Sequence, residues 1–248
     1  MNERQLESLI LPDWPAPVRV RAVSTTRCGG VSPSPYASLN LAEHVGDNPV
    51  CVAENRRRLA AMAEYPAEPA WLEQVHGIHT VAAETVRAPV AADAAWTRAA
   101  GRPCVVMTAD CLPVLLCDRA GTVVAAAHAG WRGLVGGVIA ATVARMDTPS
   151  TELLAWLGPA IGSDAFEVGE EVRAAFLALD AGAAVCFRPS PAGRWLADIY
   201  ELARRQLRRL GVAAIYGGEF CTFSEPERFF SYRRENRTGR MATLIWLA

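Results

Sequence analysis

Three residues of this chain carry donor atoms suited to chemistry: His76 in Gln-Val-His-Gly, Cys111 in Thr-Ala-Asp-Cys-Leu-Pro, and His128 in Ala-Ala-His-Ala-Gly-Trp-Arg-Gly. Each falls at the end of an expected strand, beside glycine or a loop. A soft thiolate with two imidazoles is a good donor set for Zn2+, and three protein ligands leave a fourth position for water, which separates catalytic from structural zinc. Their spacing matches no short zinc motif. On spacing alone, a buried small hydrophobe and two hydrogen-bonded histidines explain the same residues. His44 and His79 are weaker ligand candidates, and a strand through this region puts His76 and His79 on opposite faces.

The elements expected around these residues bring two of them together. Cys104–Thr108 and Leu112–Cys117 read as β-rich runs, Asp118-Arg119-Ala120-Gly121 as a turn, and Thr122–His128 as a further buried strand. Cys111 and His128 then sit at neighbouring ends of one antiparallel hairpin. Trp71–His76 and Ile78–Ala83 read as short strands broken at Gly77. Val18, Val20 and Ala22 alternate with arginines as a half-exposed strand, and Leu153–Leu157, Val212–Ile215 and Met241–Leu247 as later strands, with Phe229–Tyr232 another candidate. Helices are expected from Asn48-Pro49 to about Glu64, over Trp131–Met146, Val168–Leu179 and Leu196–Leu210, the last with Asp198 in its first turn and Gly211 beyond its end. Strands and helices mix without a regular βαβ rhythm, which favours α+β over a doubly wound sheet. No repeat or linker divides residues 1–248, so one domain is expected.

Composition narrows the chemistry. The 248 residues include 25 basic side chains, all of them arginine, against 26 acidic ones, for a net charge of −1. There is no bulk electrostatic case for nucleic acid. Without lysine there is no Schiff-base lysine, P-loop lysine or Ser–Lys dyad. The seven cysteines form no CxxC pair, which fits a reducing cytoplasm better than a disulfide framework. Met1–Pro12 lacks the basic start and long apolar run of a signal peptide, and apolar stretches such as Thr122–Ala129 are too short to span a bilayer.

Longer stretches, taken in order, resemble the YfiH family, the laccase-domain proteins long described as multicopper polyphenol oxidases. They are Ser24-Thr25-Thr26-Arg27-Cys28-Gly29-Gly30-Val31-Ser32, Ser38-Leu39-Asn40-Leu41 with His44-Val45-Gly46-Asp47, Gln74-Val75-His76-Gly77, Ala92-Asp93-Ala94, Thr108-Ala109-Asp110-Cys111-Leu112-Pro113-Val114 and His128-Ala129-Gly130-Trp131-Arg132-Gly133. Gly158-Pro159-Ala160-Ile161-Gly162, Phe166-Glu167-Val168-Gly169, Phe229-Phe230-Ser231-Tyr232-Arg233-Arg234 and Thr238-Gly239-Arg240-Met241-Ala242 complete the set, with Cys28 a minor departure at a variable motif position. The resemblance implies a layered α/β/β/α fold with mixed sheets and a metal site at His76, Cys111 and His128. It also implies phosphorolysis of adenosine, inosine, guanosine or S-methyl-5′-thioadenosine, and deamination of adenosine. The expected partners are small molecules, with no nucleic acid and no membrane, and the chain is expected as a monomer or homodimer.

On that implication, zinc would lower the pKa of a bound water for attack on C6 of adenosine, with Asp110 or Asp93 moving the proton. Phosphorolysis requires arginine to hold phosphate. Arg27, beside a Gly-Gly loop, is the first choice, then Arg233 and Arg234 after Ser231, with Asn40 as a further binding residue. Arg56-Arg57-Arg58 and Arg204, Arg205, Arg208 and Arg209 read as solvated helix faces. A laccase needs far more histidine ligands than the four present. Copper is a possible adventitious metal, because it outcompetes zinc at most N/S sites. Two other classes remain open. One is a cysteine hydrolase, for example an amidase of peptidoglycan precursors, with Cys111 as nucleophile, a histidine as base and Asp110 or Asn40 as orienter. The other is a non-enzymatic zinc scaffold closed by a fourth ligand such as His79 or Cys117.

Overall fold

Strands that are apolar on both faces must lie between two covering layers, and the central strands here are of that kind. The computed structural model describes residues 8–248, so most of Met1–Pro12, read above for signal-peptide character, lies outside the described residues. One sheet has the order β1 (Leu9–Ile10), β2 (Val20–Thr25), β13 (Met241–Leu247) and β5 (Cys104–Thr108), antiparallel throughout. A larger sheet has the order β12 (Ala214–Gly217), β8 (Leu153–Leu157), β6 (Leu112–Asp118), β7 (Val124–Ala129), β4 (Ala94–Thr97) and β3 (Thr80–Ala82). It is antiparallel at its centre and parallel at both edges, where β12 joins β8 and β3 joins β4. A small outlying sheet joins β10 (Phe187–Pro189), β11 (Trp195–Ala197) and β9 (Glu167–Val168).

Helix α1 (Pro49–Ala63) covers the smaller sheet, with Leu59 buried against Val105, Leu244 and Trp246. Helices α2 (Trp131–Gly136), α3 (Val138–Met146), α4 (Glu170–Leu179) and α5 (Ile199–Arg209) cover the larger one. The two sheets pack face to face between these helical layers. In β6, Leu112, Val114 and Leu116 enter the helix-side core, whereas Leu115 and Cys117 enter the core between the sheets. In β13, Ile245 and Leu247 face the other sheet, and Ala242, Leu244 and Trp246 face the α1 side. The result is the layered α/β/β/α arrangement with mixed sheets. No helix among the described residues is long and apolar enough to cross a membrane.

Side-chain caps account for the starts of two helices. Asn48 caps α1 by accepting from the Val50 N–H, with Pro49 at the first helical position. Asp198 lies one residue before α5 as its cap, accepting from the Glu201 N–H, instead of inside a helix that starts at Leu196. Val168 joins β9, and α4 starts only at Glu170. The single helix expected over Trp131–Met146 is two, because Gly137 has φ +94° and ends α2 before α3 begins. Trp71–His76 is not a strand: within it only Glu73 forms an isolated bridge, with Ala91, and Ala70 just before it bridges Cys104. Side chains take the place of a ladder there: the Gln74 amide pairs with the Met107 backbone in both directions. Phe229–Tyr232 is likewise not a strand.

A side chain at Gly137 would meet no atom within 4 Å, so only the backbone conformation resists one. We predict that Gly137→Ala destabilises the protein by about 1–2 kcal/mol, the cost of a left-handed L-residue, as measured by urea unfolding. An unchanged midpoint would show that α2 and α3 can fuse.

Candidate active site

The β6–β7 hairpin sets the first two donors side by side. Its register pairs Leu112 with Ala129 and Pro113 with His128, so Cys111, one residue before β6, lies beside the end of β7. The third donor, His76, comes from the loop before β3. The ligand atoms of His76, Cys111 and His128 all lie within 4.8 Å of one another. Cys111 Sγ is 3.8 Å from His76 Nε2, and the two imidazoles meet edge to face at 4.8 Å between centroids. Gly130 completes the fit, since a Cβ there would stand 2.9 Å from Cys111 Sγ and 3.0 Å from the His76 ring.

Asp93 holds the two histidines in place. It is fully buried, and its carboxylate accepts from the Val75, His76 and Gly77 backbone N–H groups at 3.2, 2.9 and 2.6 Å. It also contacts His128 Nδ1 at 2.8 Å. The His76 backbone is held at φ +60°, a conformation few non-glycine residues adopt. With Nδ1 engaged, His128 presents Nε2 to the cluster, as in metal sites where a carboxylate orients the ligand.

Charge follows from these contacts. Burial works to raise the Cys111 thiol, but hydrogen bonds and charge from His128, and then His76, prevail and bring it down to about 6. Burial likewise opposes protonation of His128, but Asp93 and Cys111 outweigh it and lift His128 to about 9. Asp93 is held below the usual carboxylate range, because its bonds to His128 and the loop amides overcome its burial. Without metal, the centre is therefore a thiolate–imidazolium pair between those values. Burial instead pushes Cys117 up to about 12 and Cys186 up to about 11.

The cluster opens into a cavity of about 490 Å3 whose other walls include His44, Gln74, Arg132, Tyr232 and Arg240. Arg132 is exposed, stacks on Trp131 with its guanidinium carbon 4.4 Å from the ring centroid, and has no hydrogen bond or ion pair among the described residues. Arg240 donates to the Thr238 and Gly239 carbonyls and lies over Tyr232. Both arginines stand in motifs quoted above, Arg132 four positions after His128. Their proximity to the donors is the signal that a search for a Gly-Gly anion loop passes over.

The other sequence-selected residues lie elsewhere. The Arg27 guanidinium donates to the Ala37 and Pro226 carbonyls and lies over Phe230. The neighbouring amides are also engaged, Gly30 N–H with Ser38 Oγ and Val31 N–H with Asn55 Oδ1. Arg234 donates to the Thr222, Phe223 and Phe229 carbonyls, and Ser231 is buried and accepts from the Arg234 N–H. Arg233 donates to the Glu167 carbonyl. Buried Asn40 joins Ala42, Asp47 and the Arg240 backbone. Asp110, at φ +89°, accepts from the Thr222 hydroxyl and the Arg233 N–H, anchoring the turn that delivers Cys111. Neither Asp110 nor Asp93 is among the cavity walls. These side chains build the walls by cross-linking loops, work that backbone carbonyls and amides demand once buried. His79 contacts the Ala91 carbonyl, and the donor cluster has no fourth protein member among the described residues. Of the arginine run in α1, Arg57 and Arg58 pair with Glu54 on the solvated face, but Arg56 turns inward over Trp71.

The layered fold and the His-Cys-His cavity define a class, and sequence comparison agrees: the chain belongs to the YfiH or laccase-domain family, whose profile, described as multi-copper polyphenol oxidoreductase laccase, matches residues 21–248. It is 58% identical over 243 residues, 98% of this chain and 99% of the relative, to a purine nucleoside phosphorylase of Pseudomonas aeruginosa. It is 55% identical to the purine nucleoside phosphorylase YfiH of Escherichia coli, covering 98% of this chain and 100% of the relative. The crystal structure of a Neisseria meningitidis protein superposes with a TM-score of 0.94 at 52% identity, over 97% of this chain and 99% of that one. YlmD from Geobacillus stearothermophilus superposes at 0.92 and 32% identity, over 100% and 97%.

Removing the Asp93 charge tests the electrostatics. Asp93→Asn should move the pH profile of Cys111 alkylation to higher pH, since His128 loses the anion that keeps it protonated. Peptide-resolved mass spectrometry of metal-free protein treated with iodoacetamide reads this directly, because only the thiolate reacts. An unshifted profile would mean that Asp93 does not set the charge of the pair.

Proposed function

We propose that this chain is a purine nucleoside phosphorylase that holds zinc at His76, Cys111 and His128. What supports the reading most is the joining, in one cavity, of the donor cluster with two guanidinium groups, Arg132 and Arg240. The donor set suits zinc: one thiolate and two imidazoles, with the 3.8 Å Sγ–Nε2 separation close to the roughly 3.5 Å between ligands of one tetrahedral ion. Bound there, zinc supplies Lewis acidity toward water or a substrate oxygen.

The chain's own residues carry the remaining work. In phosphorolysis a phosphate oxygen attacks C1′ of the ribose, the C1′–N9 bond breaks, and its electron pair leaves with the purine. Phosphate must be held while positive charge grows on the sugar. Arg132, free of internal partners, and Arg240, fixed by two carbonyls, supply the two forks suited to that anion. Tyr232 offers a ring beside Arg240 for packing against the nucleoside. The departing base takes up a proton, and His44 and Tyr232 are two side chains of the wall outside the donor cluster that can hydrogen-bond to it. Burial, then Arg240 and Arg56, lower His44, so at neutral pH its neutral imidazole gives the base an N–H hydrogen bond and the proton itself comes from solvent. Adenosine, inosine, guanosine and S-methyl-5′-thioadenosine are the proposed substrates. Deamination of adenosine uses the same cavity: water attacks C6, the C6–N6 bond breaks and the amino group leaves as ammonia. Asp93 and Asp110 are occupied by their own hydrogen bonds, so solvent carries the proton there as well.

A second reading rests on the Cys111–His128–Asp93 arrangement itself, which has the order of a nucleophile, base and orienting carboxylate. As a cysteine hydrolase, an amidase for example, the chain would need no metal.

Product analysis with adenosine and phosphate, on protein of measured metal content, separates these. Arg132→Ala should raise the KM for phosphate about 10- to 100-fold, the worth of a charge-assisted contact, and leave deamination largely intact. Equal loss of adenine and inosine would return Arg132 to nucleoside binding. Arg27→Ala should instead lower the melting temperature, through its lost loop contacts. Cys111→Ser should lose zinc and both activities together while remaining folded. Full zinc occupancy in an inactive, folded Cys111→Ser protein would favour the hydrolase.

A further inference from the structure

A second cavity, of about 350 Å3, adjoins the first and shares His44, Gln74 and Met107 with it. Its remaining walls include Glu43, Trp71, Leu72, Glu73 and Pro89. The shared rim is rigid. Gln74 donates to the Met107 carbonyl at 2.7 Å and accepts from the Met107 N–H at 2.7 Å, so neither group is free to bind a substrate or swing aside. The first cavity already has the volume of a pocket for a molecule of nucleoside size. The space beyond the rim is therefore surplus to an unsubstituted nucleoside and phosphate.

The charges of this surplus space do not cancel. Arg56 is consumed internally: it donates to the Leu41 carbonyl at 3.0 Å, pairs with Glu43 at 2.9 Å and stacks over Trp71 at 3.9 Å. Glu43 pairs through one oxygen and keeps a 60% exposed side chain. Glu73 is exposed and has no side-chain hydrogen bond or ion pair among the described residues. His44 adds no positive charge at neutral pH, being lowered by burial and by Arg240 and Arg56. Two carboxylates thus face one satisfied guanidinium, above a floor of Trp71, Leu72, Pro89 and the Met107 side. Such a surface suits a short methylene chain that ends in an ammonium group, the stem on the apolar floor and the charge at the acidic rim.

We propose that this second cavity is a substrate subsite for an aminoalkyl substituent on the nucleoside. The proposal rests on the nucleoside reading above and adds to it the class of substituent the site prefers. The substituent reaches the subsite either from the 5′ carbon of the ribose or from N6 of the purine.

Paired analogues test it. We would measure kcat/KM for adenosine, for 5′-propylthio- and 5′-aminopropylthio-5′-deoxyadenosine, and for N6-propyl- and N6-aminopropyladenosine, on wild type and on Glu73→Gln. In one of the two pairs, the amino compound should exceed its propyl counterpart by about five- to tenfold, as one partly exposed charge-assisted contact provides. Which pair responds identifies the attachment point. Glu73→Gln should bring that ratio close to one and leave adenosine turnover within about twofold, since Glu73 borders only the second cavity. Ratios near one in both pairs, or a ratio that survives Glu73→Gln, would overturn the subsite while adenosine cleavage still upheld the nucleoside reading. Failure to cleave adenosine would overturn that reading, and the subsite with it.

Discussion

The buried carboxylate of Asp93 accepts from three successive backbone amides, Val75 to Gly77, and contacts the His128 ring. An unpaired carboxylate at that depth would be prohibitively costly, so its partners are effectively compulsory. That requirement joins two distant parts of the chain: the loop carrying His76 is wound around the anion, and the strand carrying His128 is tied to it. The Asp93 carbonyl reinforces the tie by accepting from the His128 N–H at 2.7 Å. The donor cluster depends on this one carboxylate for the position of two of its members and for the charge of His128.

The fold places the third donor by a different means. Residues of β6 and β7 alternate between the helix-side core and the core between the sheets, and a slip of one residue would turn every side chain to the wrong layer. Because both faces are buried, the register is strongly specified, and the end of the hairpin is a reliable place for Cys111 to meet His128. Asp110 then fixes the turn itself through Thr222 and Arg233, which brings the C-terminal segment to the cavity wall. The site is thus built at the end of the packed sheets, from loops held by hydrogen bonds to buried side chains.

A chain without lysine must do all its cationic work with arginine, and this one divides the work visibly. Arg27, Arg234 and Arg56 spend their forks on carbonyl oxygens and aromatic faces. Planar guanidinium groups satisfy several buried carbonyls at once, which an ammonium does less well. Arg132 is the contrasting case, stacked on a tryptophan at the cavity wall with its donors uncommitted. An arginine beside a glycine pair in sequence looks like an anion site, but hydrogen bonding decides which arginines have donors left to bind anything.

How much of this was legible in the sequence depends on the range of the forces involved. The donor chemistry, the hairpin that pairs Cys111 with His128, the strand Met241–Leu247 and the capped helix at Asn48-Pro49 are local or nearly local properties, set by side-chain period, turn residues and caps. The ordered motifs also carried the family, and with it the layered fold. Three things came only from tertiary structure. Trp71–His76 has strand-like residues, yet its backbone bonds go to the Asp93 carboxylate and to the segment at Val90 and Ala92, partners outside any local pattern. Asp93 and Asp110 read as free acids in sequence, and become anchors because burial leaves a carboxylate no stable alternative to full hydrogen bonding. Which arginines keep donors for a ligand is likewise a property of the folded chain, since Arg27 and Arg234 give theirs to carbonyl oxygens and Arg132 has no hydrogen-bond partner among the described residues. Sequence by itself determined the donor atoms and the alternation that builds the sheets; which polar groups are spent inside and which face the cavity was decided by the tertiary structure, because desolvation acts on groups that meet only when the chain is folded.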